Sequence, residues 1–147
     1  KIHHVKLHGA LYNDCAKDPL SSKIVAQTIQ AIDPSIIFYG LSGSHSIKEA
    51  KAIGLRCVKE VFADRTYQPN GQLTPRHLDH ALITDPNTSA KQVLTMVLDQ
   101  EIKTDDGTMI AVEAETICIH GDHPQAVDIA KNLFNTLQQY QIEIKQP

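Results

Sequence analysis

Short apolar runs alternate along this chain with segments whose apolar residues recur every three or four positions, the pattern of strands followed by helices. Residues 2–7, 36–39, 56–61, 81–83 and 116–119 read as strands. Asp18-Pro19 offers an N-cap with proline at the first helical position, and Leu20, Ile24, Val25, Thr28, Ile29 and Ile32 form one stripe before Pro34. Ser42-Gly43-Ser44 leads into a helix with Ile47, Ala50 and Ile53 inward, closed by Gly54. Asp85-Pro86 opens another, with Val93, Leu94, Val97 and Leu98 inward, and a last helix turns Val127, Ala130, Leu133, Phe134 and Leu137 inward. Asp106-Gly107 between two short runs signals a hairpin. Periodicity is lost over residues 63–80, long enough for a functional loop, and its Pro-Asn-Gly turn and arginines suit an ordered one. The expectation is a single α/β domain over residues 1–147, a mainly parallel sheet covered by helices.

Composition narrows the function. With 14 basic against 17 acidic side chains and a net charge of −3, there is no phosphate-neutralising patch, which argues against nucleic-acid binding. No apolar stretch is long enough to span a bilayer. The 3 cysteines, Cys15, Cys57 and Cys118, lack CxxC spacing, so neither a disulfide framework nor a structural zinc site is indicated. Cys57 and Cys118 fall in strands as small hydrophobes, and the whole fits a reducing cytoplasm. The chain begins at Lys1 and enters a strand pattern at once, as expected of the later part of a longer protein.

Three apolar runs end in polar clusters: His8 to Asn13, Glu60 to Tyr67, and His120-Gly121-Asp122-His123-Pro124. Loops beyond the C-terminal ends of parallel strands open on one side, where sites are built. His120 is polar at the mouth of an apolar strand and suits a general base. Asp122 could serve it, or could simply cap the last helix through an Asp-x-x-Gln box with Gln125. Lys6 and His8 fall on one strand face by alternation, meaningful if that face serves a ligand and meaningless if it is solvent. Glu60, Asp64, Arg65 and Arg76 combine acids and bases in one region. The arginines suit a carboxylate or phosphate; the plainer reading is an ion-pair network that orders the loop. Ser42-Gly43-Ser44 reads as a turn and cap, and the P-loop pattern is absent.

These residues carry a resemblance. Val5-Lys6-Leu7-His8-Gly9-Ala10-Leu11-Tyr12-Asn13, then Phe62-Ala63-Asp64-Arg65 with Tyr67, Gly71, Leu73 and Arg76, then Cys118-Ile119-His120-Gly121-Asp122, resemble the LamB/YcsF family along essentially the whole chain. Leu7 stands where the family has proline, and His123 where it has threonine or another small residue. The family's acidic and histidine-containing N-terminal motifs have no counterpart, so the resemblance is to the later portion only. It implies a (β/α) barrel-like fold related to polysaccharide deacetylases, incomplete at the N-terminus. It further implies the A subunit of an ATP-dependent 5-oxoprolinase, a hydrolase acting on a cyclic amide. With partner subunits B and C, and ATP used through the complex, it would convert 5-oxoproline to glutamate. On that reading His120 with Asp122 form the base pair, and His8 or Asp64 orients substrate or donates the proton. Lys6 or Arg65 meets anionic oxygens, and Asn13, Glu60, Tyr67 and Arg76 complete the substrate contacts. Two other readings stand beside it: a metal-dependent amidase or deacetylase using a divalent ion held by His8, His120 and acids, and a non-catalytic binding or regulatory module.

Overall fold

Parallel strand pairing organises the first of two compact units, Lys1–Glu60 and Val61–Pro147, in a computed structural model that describes residues 2–146. Strand β1 (His4–Lys6) pairs with β2 (Ile37–Leu41), and β2 with β3 (Cys57–Phe62), all parallel, with Lys6 opposite Tyr39 and Leu41 opposite Glu60. Helices α1 (Ala10–Lys17), α2 (Pro19–Ile32) and α3 (His45–Ala52) fill the connections. Phe38, Ile36 and Leu55 pack with Ala26 and Ile29 of α2 and Ala50 of α3 on one face of the sheet. Ile37, Tyr39 and Val58 pack on the other, so β2 is buried throughout. Gly40 lets α3 lie close: a Cβ there would come within 3.2 Å of Ile47 and of Ser46.

Several expectations need correction here. β1 is only three residues long and lies at the edge of the sheet with an exposed flank, Ile2 being 66% exposed. His8 therefore lies beyond the strand, and alternation from Lys6 does not reach it. Helix α1 occupies what reads in sequence as a polar loop; Gly9, at φ +60, turns the chain into it, and Tyr12, Cys15 and Ala16 form its buried side. The Cys15 thiol is pushed up by burial and by the charges of Asp14 and Asp18. Asp18 caps α2 as expected, accepting from the Ser21 amide at 2.7 Å. Ile29 of the expected α2 stripe is buried, but it is joined on the inner face by Ser22 and Ala26, while Leu20, Ile24 and Ile32 are exposed. Small residues let α2 approach its neighbours α1 and α3, and the Ser22 hydroxyl donates to the Cys15 carbonyl.

In the second unit, α4 (Pro86–Leu94) begins at Asp85, which accepts from the Thr88 amide at 2.7 Å, and runs into a π-helical turn, Thr95–Asp99. The antiparallel hairpin β4 (Glu101–Lys103) and β5 (Met109–Ala111) follows as expected. Strand β6 (Thr116–Cys118) leads to α5 (Ala126–Gln139). Val93, Leu133 and Leu137 pack with Ala63, flanked by Ile117 and Ile119. The buried residues of α5 are Ile129, Leu133 and Leu137, one stripe against α4; Val127, Ala130 and Phe134 face outward, contrary to the sequence reading. Leu98 is likewise 53% exposed. Residues 81–83 form no strand, only an isolated bridge between Leu82 and Arg65. Cys57 and Cys118 are half-buried rather than buried. Among the described residues no helix is long and apolar enough to cross a membrane.

Candidate functional site

The Ala63 amide donates to the Cys118 carbonyl at 3.0 Å, so the residues just beyond, Asp64 and His120, meet. The His120 backbone N–H donates to Asp64 Oδ2 at 2.7 Å, and its Nδ1 lies 3.0 Å from both carboxylate oxygens. The Asp64 side chain is 1% exposed. Burial works to raise its carboxyl, but the hydrogen bonds from the His120 side chain and backbone, with the imidazole's charge, outweigh it and hold Asp64 below the ordinary carboxylate value. An ionised carboxylate only accepts, so Nδ1 carries the hydrogen and donates. That leaves Nε2 as the basic nitrogen, with no hydrogen-bond partner among the described residues. The ring stacks on Phe62, centroids 5.4 Å apart and planes at 19°, which fixes its orientation.

Backbone hydrogen bonds order the loop carrying Asp64. The Thr66 amide donates to Ala81, the Ile83 amide to Asp64, and Gln68 to Gln72 around the Pro69-Asn70-Gly71 turn. Gln92 of α4 donates to the Phe62 and Arg65 carbonyls, and Ser89 donates to Ala63. Arg65 is buried, with Nε on the Ala81 carbonyl at 3.2 Å and Nη2 on the Thr74 carbonyl at 2.6 Å. The Tyr67 hydroxyl, also buried, accepts from the Phe62 amide at 2.8 Å. Arg65 and Tyr67, expected as substrate contacts, thus hydrogen-bond to backbone groups, Arg65 through carbonyls rather than through the ion-pair network that was its plainer reading.

Two expectations about Asp122 are corrected. Helix α5 starts after Gln125 without a side-chain cap, so Asp122 is not a capping box. Nor does Asp122 pair with His120: it takes Arg76 Nη1 at 2.7 Å, on a surface where both side chains are about half exposed. The Arg76 hydrogen bond holds the Asp122 carboxyl below its usual value. The carboxylate nearest in sequence is thus spent on an arginine, and the imidazole takes the distant one.

In the first unit a second cluster stands at the C-terminal ends of β1 and β3. Lys6 Nζ lies 2.8 Å from Glu60 Oε1, and the Tyr12 hydroxyl donates to Oε2 at 2.8 Å. Lys6 also sits over the Tyr12 ring, 5.6 Å from its centroid. Glu60 is 4% exposed and Lys6 32%, a buried carboxylate with its cation partly open to solvent. Nearby Tyr39 has its phenol pushed up by burial and by the Glu60 charge. His8 is exposed, and the Asn13 amide makes only a long contact, 3.4 Å, to the Gly9 carbonyl at the start of α1.

Two residues given no role from the sequence stand out. Tyr12 is one, because its helix was not foreseen; its place on the buried stripe of α1 was the available signal. His123 is the other. Its Nε2 lies 3.5 Å from Asp64 Oδ2, and its side chain is 13% exposed. Among the described residues, neither of its ring nitrogens has a hydrogen-bond partner. No group of three or more His, Cys, Asp or Glu side chains among the described residues is arranged to hold a metal ion, so these residues do not by themselves fit the divalent ion of the amidase reading.

Known proteins resemble this chain along nearly its whole length. The chain is 48% identical over 144 residues to the 5-oxoprolinase A subunit of Geobacillus kaustophilus, covering 98% of this chain and 56% of that protein. It is 48% identical over 145 residues to the 5-oxoprolinase A subunit of Bordetella parapertussis, covering 99% and 58%. The crystal structure of the lactam utilization protein from Thermus thermophilus superposes with a TM-score of 0.87 at 38% identity, covering 99% of this chain and 57% of that one. The chain thus spans somewhat more than half the length of these relatives. Residues 1–147 match the LamB/YcsF family throughout, and the chain belongs to that family.

Proposed function

We propose that this chain forms part of the A subunit of an ATP-dependent 5-oxoprolinase and contributes the base that opens the lactam ring. A five-membered lactam is a resonance-stabilised amide that resists water at neutral pH. Transfer of the ATP γ-phosphoryl group to the lactam oxygen, assigned to partner subunits B and C, makes the ring carbon electrophilic. Water then adds, and His120 Nε2 takes its proton. The C–N bond breaks, the nitrogen is protonated, and an acyl phosphate remains. A second water releases phosphate and leaves glutamate. Asp64 holds the Nδ1–H tautomer and stabilises the imidazolium as it forms.

The observation that carries this reading is the buried, ionised Asp64 gripping both the backbone and the ring of His120. The relatives named as 5-oxoprolinase A subunits supply the reaction class. Lys6, opposite Glu60 and partly exposed, is the proposed cation for an anionic group. The parallel sheet would belong to a (β/α) barrel. The test is ATP-dependent glutamate release by the whole protein with subunits B and C. His120→Ala should lower turnover on the order of a hundredfold to ten-thousandfold in protein that is still folded at the assay temperature, with a lowered melting temperature because buried Asp64 loses its ring partner. Turnover within a few-fold of the unaltered protein would remove His120 from the chemistry.

A further inference from the structure

We propose that His123 is a positioning residue that shares the Asp64 carboxylate with His120 and so limits how strongly that carboxylate holds a proton on the His120 ring. Two imidazoles converge on one buried carboxylate: His120 Nδ1 at 3.0 Å from both oxygens and His123 Nε2 at 3.5 Å from Oδ2. Asp64 cannot turn away, because Oδ2 also accepts the His120 backbone amide at 2.7 Å.

His123 is itself enclosed. Its two ring nitrogens are buried and without a hydrogen bond among the described residues, although buried polar atoms are nearly always satisfied. Its 3.5 Å approach to Asp64 lacks hydrogen-bond alignment, yet Asp64 is the acid within ion-pair distance of it. A small rotation would make Nε2–H a donor to Oδ2. The Ala126 amide donates to the His123 carbonyl at 3.2 Å, and Pro124 follows directly, so the backbone holding the ring is constrained.

The consequence follows from charge. A carboxylate that accepts from one imidazole stabilises the protonated form of that ring. A second donor on the same carboxylate, whether neutral N–H or imidazolium, draws off part of that stabilisation. Removing it should let His120 hold its proton to higher pH. Besides Asp64 and His120, the titratable groups in this unit that enter the same electrostatic field include Arg65, Tyr67, Arg76 and Asp122. The substitutions below change none of them.

The test reads the His120 ring directly. The whole protein, labelled with 15N-histidine, is titrated while long-range proton–nitrogen correlations report each imidazole, for the unaltered protein, His123→Thr, His123→Phe and His123→Gln. In the Thr and Phe variants the His120 ring should keep its proton to measurably higher pH than in the unaltered protein. In His123→Gln, whose amide can still donate to Oδ2, the His120 midpoint should stay near that of the unaltered protein. Phe keeps the packing and Thr avoids crowding, so if one fails to fold the other answers. The same His120 midpoint in all folded variants, or a Gln variant that moves as far as the Thr variant, would overturn the proposal. Since the readout is protonation and not turnover, the result stands whether or not the pair opens a lactam.

Discussion

His120 Nδ1 lies 3.0 Å from each carboxylate oxygen of Asp64, a residue 56 positions away in the chain. The same carboxylate accepts the His120 backbone amide, so the pairing fixes where the ring sits and which tautomer it adopts. Asp64→Asn should disturb both. An asparagine oxygen can still take the backbone amide, but its NH2 then faces Nδ1 and forces the hydrogen onto Nε2, where the base must act. Turnover should fall about a hundredfold or more with KM for 5-oxoproline little changed, as measured by steady-state glutamate release with the partner subunits. A loss confined to KM would instead make Asp64 a substrate contact.

Asp122 and Arg76 face each other on an open surface, with side-chain exposures of 60% and 46%. Solvent screens such a pair, and neither the start of α5 nor the His120 ring depends on it for a hydrogen bond. Asp122→Asn and Arg76→Gln should each leave thermal unfolding nearly unchanged and turnover within about tenfold. Calorimetry beside the glutamate assay checks both. A collapse of turnover at constant stability would return Asp122 to the catalytic machinery.

Arg65 is different, because its guanidinium is enclosed and bonded to the Ala81 and Thr74 carbonyls. Arg65→Met keeps much of the stem but leaves two carbonyls without these donors. Such charge-assisted hydrogen bonds contribute on the order of 1.5–3 kcal/mol each, so urea unfolding should show a loss of a few kcal/mol. Arg65→Lys should recover only part of it, since one ammonium cannot reproduce the fork. Full stability of the Met variant would show that the loop does not need this anchor.

Acid stability should report Asp64 as well. Its folded carboxyl titrates below the ordinary value that it regains on unfolding. The stability it contributes is therefore fully present above the unfolded value, near pH 4, and is lost as pH falls from there through the lower folded value. Between about pH 5 and pH 2, the unaltered protein should lose more stability than Asp64→Asn, and the two curves should converge at the acid end. Parallel curves over that range would mean that Asp64 is not held ionised by His120.

What the sequence showed plainly was chemistry that acts within a few residues. Asp18-Pro19 and Asp85-Pro86 mark helix starts because cap and first turn are neighbours in the chain, and both caps form as read. Asp106-Gly107 marks the hairpin for the same reason. The inner faces of α2 and α5 are only partly legible, Ile29, Leu133 and Leu137 being buried as expected, because each helix carries more apolar residues than its neighbours cover. Ala26 and Ile29 are buried while Leu20, Ile24 and Ile32 are not, a choice made by packing against α1 and α3. The candidate site divided along the same line. His120 and Asp64 were both visible as polar residues ending apolar runs, but their partnership rests on β6 lying beside the end of β3. Proximity in sequence favoured Asp122, which the fold commits to Arg76.

If Asp64 and His120 act as one unit in ring opening, a double-mutant cycle will show it. Turnover of the whole protein with subunits B and C is measured for Asp64→Asn, His120→Ala and the combination, with melting temperatures confirming that each variant is folded. If Asp64 works only through the His120 ring, the double variant should be no slower than His120→Ala alone, within about threefold, although each single change is severe. Losses that multiply, or near-normal glutamate release from either single variant, would contradict the account.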